Sequence, residues 1–254
     1  MIFSLISGAE NIFAIAEPPL DAELDEKELV AKAVTQSISI VLDGVVFLYK
    51  TDDHSYRWSF YNRDGSIAEM CGNAARCVGA LNYKNTSEVK MKLSTLAGDV
   101  MVEIHNKEVW VHMPLVQDLG IKHFPEINKE FLVINSGVPH VVCVASDRID
   151  IEEVKKIRKS LVSGARGANV TIVTKYNDLE KICAVTFERG VEDFTKACGT
   201  GAVAAAYWRV RHDLGKQSGD ILVEMPGGNL RVRVDGNKIQ LTGPVKFLGK
   251  LEIR

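Results

Sequence analysis

Two cysteines sit in matching surroundings. Cys71 lies in AEMCGNAARCVGA, Ala68 to Ala80, and Cys198 lies in TKACGTGAVAAA, Thr195 to Ala206. Each is followed by a glycine, a small polar residue and a run of helix formers, so each thiol marks a predicted helix start. Unpaired backbone N–H groups and the positive end of the macrodipole meet there. Such a terminus holds a carboxylate and lowers the pKa of a nearby thiol toward neutrality, which lets it carry a proton at physiological pH. Two such starts facing each other would grip one carboxylate and present a sulfur to each side of the adjacent carbon. One thiolate would remove the α-proton and the opposite thiol would return a proton from the other side, the geometry of a two-base racemase. Gly72 and Gly199 let the backbone approach a ligand closely. Asn73 and Thr200 supply the next amides or side chains.

The other cysteines read differently. Cys77, Cys143 and Cys183 lie within apolar stretches such as HVVCVAS and KICAVTF and fit buried small hydrophobes. A metal pair would have His140 as its obvious third ligand, a poor match to a zinc set. NRDGS, Asn62 to Ser66, lacks the later acidic ligand of a calcium loop and reads as a turn. Five cysteines without a Cys-x-x-Cys pair argue against a disulfide framework, and a reducing cytoplasm suits them. The formal net charge of −2 and the scattered Lys and Arg residues offer no nucleic-acid surface. No apolar stretch is long enough to span a bilayer, and the N-terminus has no basic segment of a signal peptide. The expected partner is a small molecule. No nicotinamide, flavin, nucleotide or pyridoxal-phosphate fingerprint appears, so no cofactor and no metal are implied. The oligomeric state stays open, with a homodimer as one possibility.

The elements that must position the thiols come in two copies. Phe60 precedes Cys71 by the same distance as Phe187 precedes Cys198, Gly72 answers Gly199, and Ala75 answers Ala202. GDVMVEIHNKEVWVHMP aligns without gaps with GNLRVRVDGNKIQLTGP, and Ser7-Gly8 answers Ser136-Gly137. Each half offers short strands with period-two or β-branched patterns: VVFLYK, HSYRWSFY and MVEIHNKEVWVHM, then VTIVTK, KICAVTFE and LRVRVDGNKIQLT. Asn106-Lys107 and Asp235-Gly236-Asn237 supply hairpin turns. A polar amphipathic helix is expected over about Asp21 to Gln36 and again over about Asp150 to Ser163. The helix that begins at each cysteine has few charges and should be wrapped by strands. The expected fold is α+β, with two pseudo-symmetric domains, each a mixed or antiparallel sheet or barrel around a central helix, and an active site in the interdomain cleft. The halves are placed at residues 1–114 and 115–244, with a last strand over about 245–254 returning to the first half.

At FYNRDGSIAEMCGNAARCVG and FERGVEDFTKACGTGAVAAA the sequence resembles the diaminopimelate epimerase family, and the likeness runs along the whole chain. The resemblance implies cofactor-independent epimerisation of LL- to meso-diaminopimelate in lysine and peptidoglycan-precursor synthesis. It implies Cys71 and Cys198 as the acid/base pair, with amides around Gly72, Asn73, Gly199 and Thr200 holding the reacting carboxylate. Asn11, Asn62, Asn169 and Arg189 match substrate-binding positions. Arg189 is expected as the buried partner of a distal carboxylate. His140 and Glu188 match groups that orient or deprotonate the thiols. Several positions depart from the family pattern. Glu10 and Ile12 replace a Gly and the Asp of its opening Gly-x-Gly-Asn-Asp-Phe, Ser39 and Val41 replace the glycines of Gly-Ile-Gly, and Val138 stands at a frequent Asn. These departures leave two alternatives: a related racemase acting on proline, hydroxyproline or histidine, or a homologue that binds an amino acid without turning it over.

Overall fold

Short strands dominate, because β-branched and aromatic residues alternate with polar ones over most of the chain. In LRVRVD, for example, Leu230, Val232 and Val234 are buried while Arg231 and Arg233 face out. The computed structural model describes residues 1–254 apart from 38, 145, 147, 148, 163, 164, 177 and 254, with only the backbone of 161, 162, 165 and 166. By internal contact the chain divides into one unit of Met1–His112 with Thr242–Arg254 and a second of Met113–Leu241.

The first unit contains β1 (Ile2–Gly8), β2 (Asn11–Ala16), α1 (Glu26–Gln36), β3 (Gly44–Asp52), β4 (Ser55–Asn62), α2 (Gly72–Thr86), β5 (Lys90–Thr95), β6 (Gly98–His105), β7 (Glu108–His112) and a C-terminal strand, Val245–Glu252. The C-terminal strand runs antiparallel to β1, and β1 to β2. The steps β2 to β3 and β4 to β5 are parallel, whereas β3–β4, β5–β6 and β6–β7 are antiparallel. Each parallel step spans a helix, α1 in the first case and α2 in the second.

The second unit contains β8 (Gln117–Phe124), β9 (Lys129–Asn135), β10 (Pro139–Val144), α3 (Ile151–Lys159), β11 (Leu161–Val162), β12 (Ala165–Arg166), β13 (Asn169–Lys175), β14 (Lys181–Glu188), β15 (Asp193–Thr195), α4 (Gly199–Trp208), a π-helical turn (Arg209–Asp213), β16 (Ser218–Met225), β17 (Gly228–Asp235) and β18 (Lys238–Thr242). Its pairing repeats the first unit's order. β8–β9–β10 are antiparallel, β10–β13 parallel, β13–β14 antiparallel, β14–β16 parallel and β16–β17 antiparallel. In each unit the charge-poor helix lies against strands of its own unit, α2 against β1, β2, β6 and β7, and α4 against β10, β13, β14, β16 and β17. Every residue of α4 from Gly199 to Tyr207 is buried, as expected of an Ala-rich helix that is apolar all round. Among the described residues no helix is long and apolar enough to cross a membrane.

The polar helices are shorter than expected. α1 begins at Glu26 and not near Asp21, because the Asp25 carboxylate accepts from Glu28 N at 3.0 Å and caps the helix there. α3 begins after Asp150, whose carboxylate and that of Glu153 form a reciprocal capping box. It ends at Lys159, and the expected end at Ser163 lies outside the described residues, as does residue 254 of the last strand.

Candidate active-site residues

Cys71 and Cys198 each occupy the N-cap of the central helix of their own unit. Both backbones are extended, with φ and ψ of −146° and 116° at Cys71 and −115° and 113° at Cys198. Each carbonyl accepts the first helical bond, from Ala75 N and Ala202 N respectively, both at 2.9 Å. The N–H groups of Gly72 and Asn73, and of Gly199 and Thr200, thus belong to first helical turns whose amides have no intrahelical acceptor. Cys71 is half-buried and Cys198 is buried, and none of the described cysteines forms a disulfide.

In the first unit Asn73 Nδ2 donates to Asn11 Oδ1 at 2.6 Å, which fixes the first turn of α2 to the start of β2. Asn73 Oδ1 accepts from the Arg76 guanidinium at 2.9 Å. A side chain at Gly8 would lie 2.8 Å from Asn73 O and 2.9 Å from Cys77 Sγ, so glycine there allows β1 to reach the helix. Burial pushes the Cys77 thiol up to about 12, so it stays protonated and serves packing. Asn62 ends β4 in a turn: its N donates to Ser66 O at 2.8 Å and its Nδ2 to Ser66 Oγ at 3.0 Å. Asp64 completes that turn by accepting from Ser66 N at 2.9 Å.

The β1–β2 turn carries the departure at Glu10. Ala9 and Glu10 adopt φ of 50° and 65°, left-handed values that glycine takes without steric cost. Glu10 therefore holds a left-handed backbone at the position where the family pattern has a glycine. Ser39 and Val41 are exposed, and Val138 is half-buried beside Gly137.

The second unit joins more of the expected residues. His140 is fully buried on β10, with Nδ1 at 2.8 Å from Thr171 Oγ1 and Nε2 at 2.9 Å from Thr200 Oγ1. Thr200 Oγ1 lies 3.3 Å from Cys198 Sγ, and Gly201 N donates to that sulfur at 3.3 Å. Asn169 Nδ2 lies 3.3 Å from His140 Nε2, while Asn169 Oδ1 accepts from Arg189 N at 2.8 Å. The last bond turns the Asn169 Nδ2 toward the ring. Thr200 Oγ1 stands between the imidazole Nε2 and the Cys198 sulfur, within hydrogen-bond reach of both. Desolvation, with the Arg189 charge second, lowers the His140 pKa to about 3, so the ring is neutral.

Glu188, at the end of β14, accepts from the Thr195 hydroxyl. Arg189 follows it and is exposed, which corrects its expected place as a buried cation. It stands at the β14–β15 turn, where Gly190 adopts φ 90° and the chain leaves the sheet. Three contributors lie outside the sequence reading: Arg76, fully buried in α2, and Thr171 and Thr186, whose hydroxyls are 3.1 Å apart beneath His140. A charged residue inside the apolar run NAARCVGAL is the signal that marks Arg76. Thr171 and Thr186 look like ordinary strand residues in sequence.

The family profile described as diaminopimelate epimerase matches residues 3–117 and 132–248. The chain is 30% identical to diaminopimelate epimerase of Helicobacter pylori, over 98% of this chain and 95% of that protein. With diaminopimelate epimerase of a Nitratiruptor species it shares 33% identity over 87% of each chain. Among solved structures, a hydroxyproline epimerase from Agrobacterium vitis superposes with a TM-score of 0.70 at 14% identity, covering 100% of this chain and 92% of that one, a likeness of fold. With both cysteine segments inside the matched residues and nearly the full length aligned, the chain belongs to the diaminopimelate epimerase family.

Proposed function

We propose that the protein interconverts LL- and meso-diaminopimelate by moving the α-proton between two thiols, as a cytoplasmic enzyme of lysine and peptidoglycan-precursor synthesis. The carrying observation is that each cysteine caps the start of a buried central helix, in a chain of this family. One sulfur, as thiolate, removes the α-proton. Negative charge then develops on the α-carboxylate, where the first-turn amides at Gly72, Asn73, Gly199 and Thr200 stabilise it. The other sulfur, as thiol, donates its proton to the opposite face, and the two sulfurs exchange protonation states with each turnover. His140 and Glu188 orient the thiols. Asn62, Asn169 and Arg189 bind the distal amino-acid end of the substrate, and Asn11 makes a further substrate contact.

The test is incubation with LL-diaminopimelate in deuterated water. Deuterium at the α-carbon together with formation of the meso isomer is the expected result. An unlabelled, unconverted substrate would sink the assignment and leave an amino-acid-binding homologue. Exchange with proline or histidine as fast as with diaminopimelate would instead favour a racemase of another amino acid. A polar set of three asparagines and an arginine speaks against that outcome, since proline has no second polar end to occupy it.

A further inference from the structure

Arg76 is the one described residue with a long charged side chain that is fully buried, and it lies in the first turns of the helix that Cys71 begins. Its guanidinium donates to Asn73 Oδ1 at 2.9 Å and to Gly72 O at 3.4 Å, both neutral acceptors, and its Nε has no hydrogen-bond partner. The ionisable groups near enough to favour its charge are Cys77 and Cys71, each only as a thiolate, and Cys77 stays protonated. Among the described residues no carboxylate from β1, β2, β6, β7 or the C-terminal strand, the elements packed on α2, favours that charge. A buried cation without a carboxylate is costly. Burial lowers the Arg76 pKa only to about 10, so the charge persists at neutral pH. Such a charge adds to the positive end of the helix and favours an anion on Cys71. The second unit has a different character: the residue five past Cys198 is Val203, and the Cys198 sulfur is linked through Thr200 Oγ1 to the neutral His140 ring in place of a buried cation.

Resting on the two-thiol reading above, we infer that Arg76 is a positioning residue that makes Cys71 the resting thiolate, leaving Cys198 as the resting thiol. Arg76 does this from beneath the helix start, by its charge and by holding Asn73 through Oδ1. The free enzyme is then poised to take a proton first from the stereoisomer whose α-hydrogen faces Cys71.

The experiment titrates Cys71 directly, without substrate, by the ultraviolet absorbance of its thiolate in folded Cys198→Ala protein, with the Cys71→Ala/Cys198→Ala double variant as blank. Cys77 stays protonated across the range and does not interfere. The midpoint is expected well below the roughly 8.5 of an ordinary thiol. Arg76→Met should raise it by about 1–3 pH units, as removal of a neighbouring opposite charge does, and Arg76→Lys should restore most of the effect. A midpoint at or above roughly 8.5 with Arg76 intact, or no movement in Arg76→Met, overturns the inference. The first criterion holds even if Arg76→Met fails to fold. Diaminopimelate exchange alongside an ordinary Cys71 midpoint would remove the role of Arg76 and keep the proposed function. An Arg76-dependent low midpoint without exchange would do the reverse.

Discussion

The first turns of α2 and α4 start from the same Cys-Gly pattern and end in different chemistry. Asn73 and Thr200 both stand two residues past their cysteine, and Asn11 and His140 both stand four residues past the serine of a Ser-Gly pair. In each unit these two positions are hydrogen-bonded to each other, at 2.6 Å for Asn11–Asn73 and 2.9 Å for His140–Thr200. The backbone frame is thus repeated, including the bond that ties the helix start to the neighbouring strand. What differs is where the bonded chain leads. From Asn73 it runs to the Arg76 cation, and from Thr200 to the Cys198 sulfur on one side and a neutral histidine on the other. Moreover, Cys198 Sγ caps its own helix through Gly201 N, a bond the Cys71 thiol does not make to α2. A duplicated scaffold can hold two like groups in two electrostatic settings, as an acid and a base require.

The largest effect should come from deleting either sulfur. Cys71→Ala or Cys198→Ala should lower epimerisation by at least ~10²- to 10⁴-fold, the usual loss on removing a general acid or base, and the double variant should be little worse than either single one. Near-normal turnover in one single variant would end the symmetric two-base comparison. Next is the pair Asn62 and Arg189, each nine residues before its cysteine. Arg189→Asn would make the two units alike there. Because Arg189 is exposed, the loss should be that of a charge-assisted hydrogen bond, about 1.5–3 kcal/mol, or roughly 10- to 10²-fold in kcat/KM for diaminopimelate. An unchanged kcat/KM would remove Arg189 from the substrate contacts.

Smaller effects test packing and protonation. Ala74 and Gly201 both lie three residues past the cysteine, but a Cβ at Gly201 would lie 2.2 Å from Thr186 Oγ1 and 3.1 Å from Thr171 Oγ1. Gly201→Ala should therefore destabilise by about 1–3 kcal/mol, read in a denaturant titration, although alanine is the better helix former. A more stable variant would show that the threonines yield. Finally, His140 is held neutral with its pKa lowered to about 3, so the unfolded chain binds the extra proton first as pH falls. Its contribution to stability is complete above the unfolded value of roughly 6.5 and declines toward pH 3 by up to about 1.4 kcal/mol per pH unit. His140→Asn should flatten that limb of the stability profile, and an unaltered slope would mean that other groups produce it. Nothing in the first unit's Asn11 position titrates in this window.

Much of this arrangement is legible in the chain. Alternation in LRVRVD and in the β-branched run VTIVTK marks strands because a half-buried or buried strand needs those residues whatever its partner is. The onset of α2 and α4 is marked because capping is a property of a few consecutive residues. The start of α1 is less legible: Asp21 and Asp25 are equally good caps by type, and the bond from Glu28 N selects Asp25. Arg189 illustrates the opposite limit, since a guanidinium beside a signature segment reads as buried, while the β14–β15 turn leaves it exposed.

By itself the sequence determined that two thiols stand at two helix starts, that each half carries the same order of strands and helices, and that the chain is built on the pattern of an epimerase family. These features are local or periodic, and they survive any arrangement of the distant chain. Tertiary structure decided what surrounds each thiol. His140 reaches Thr200 across 60 residues and Asn11 reaches Asn73 across 62, and the packing of α4 on β10 and of α2 on β2 brings such residues to the starts of the central helices. Burial then decides the rest, because the same desolvation that keeps His140 neutral leaves Arg76 charged: an imidazole loses its proton readily out of water, and a guanidinium starts from too high a pKa to do so.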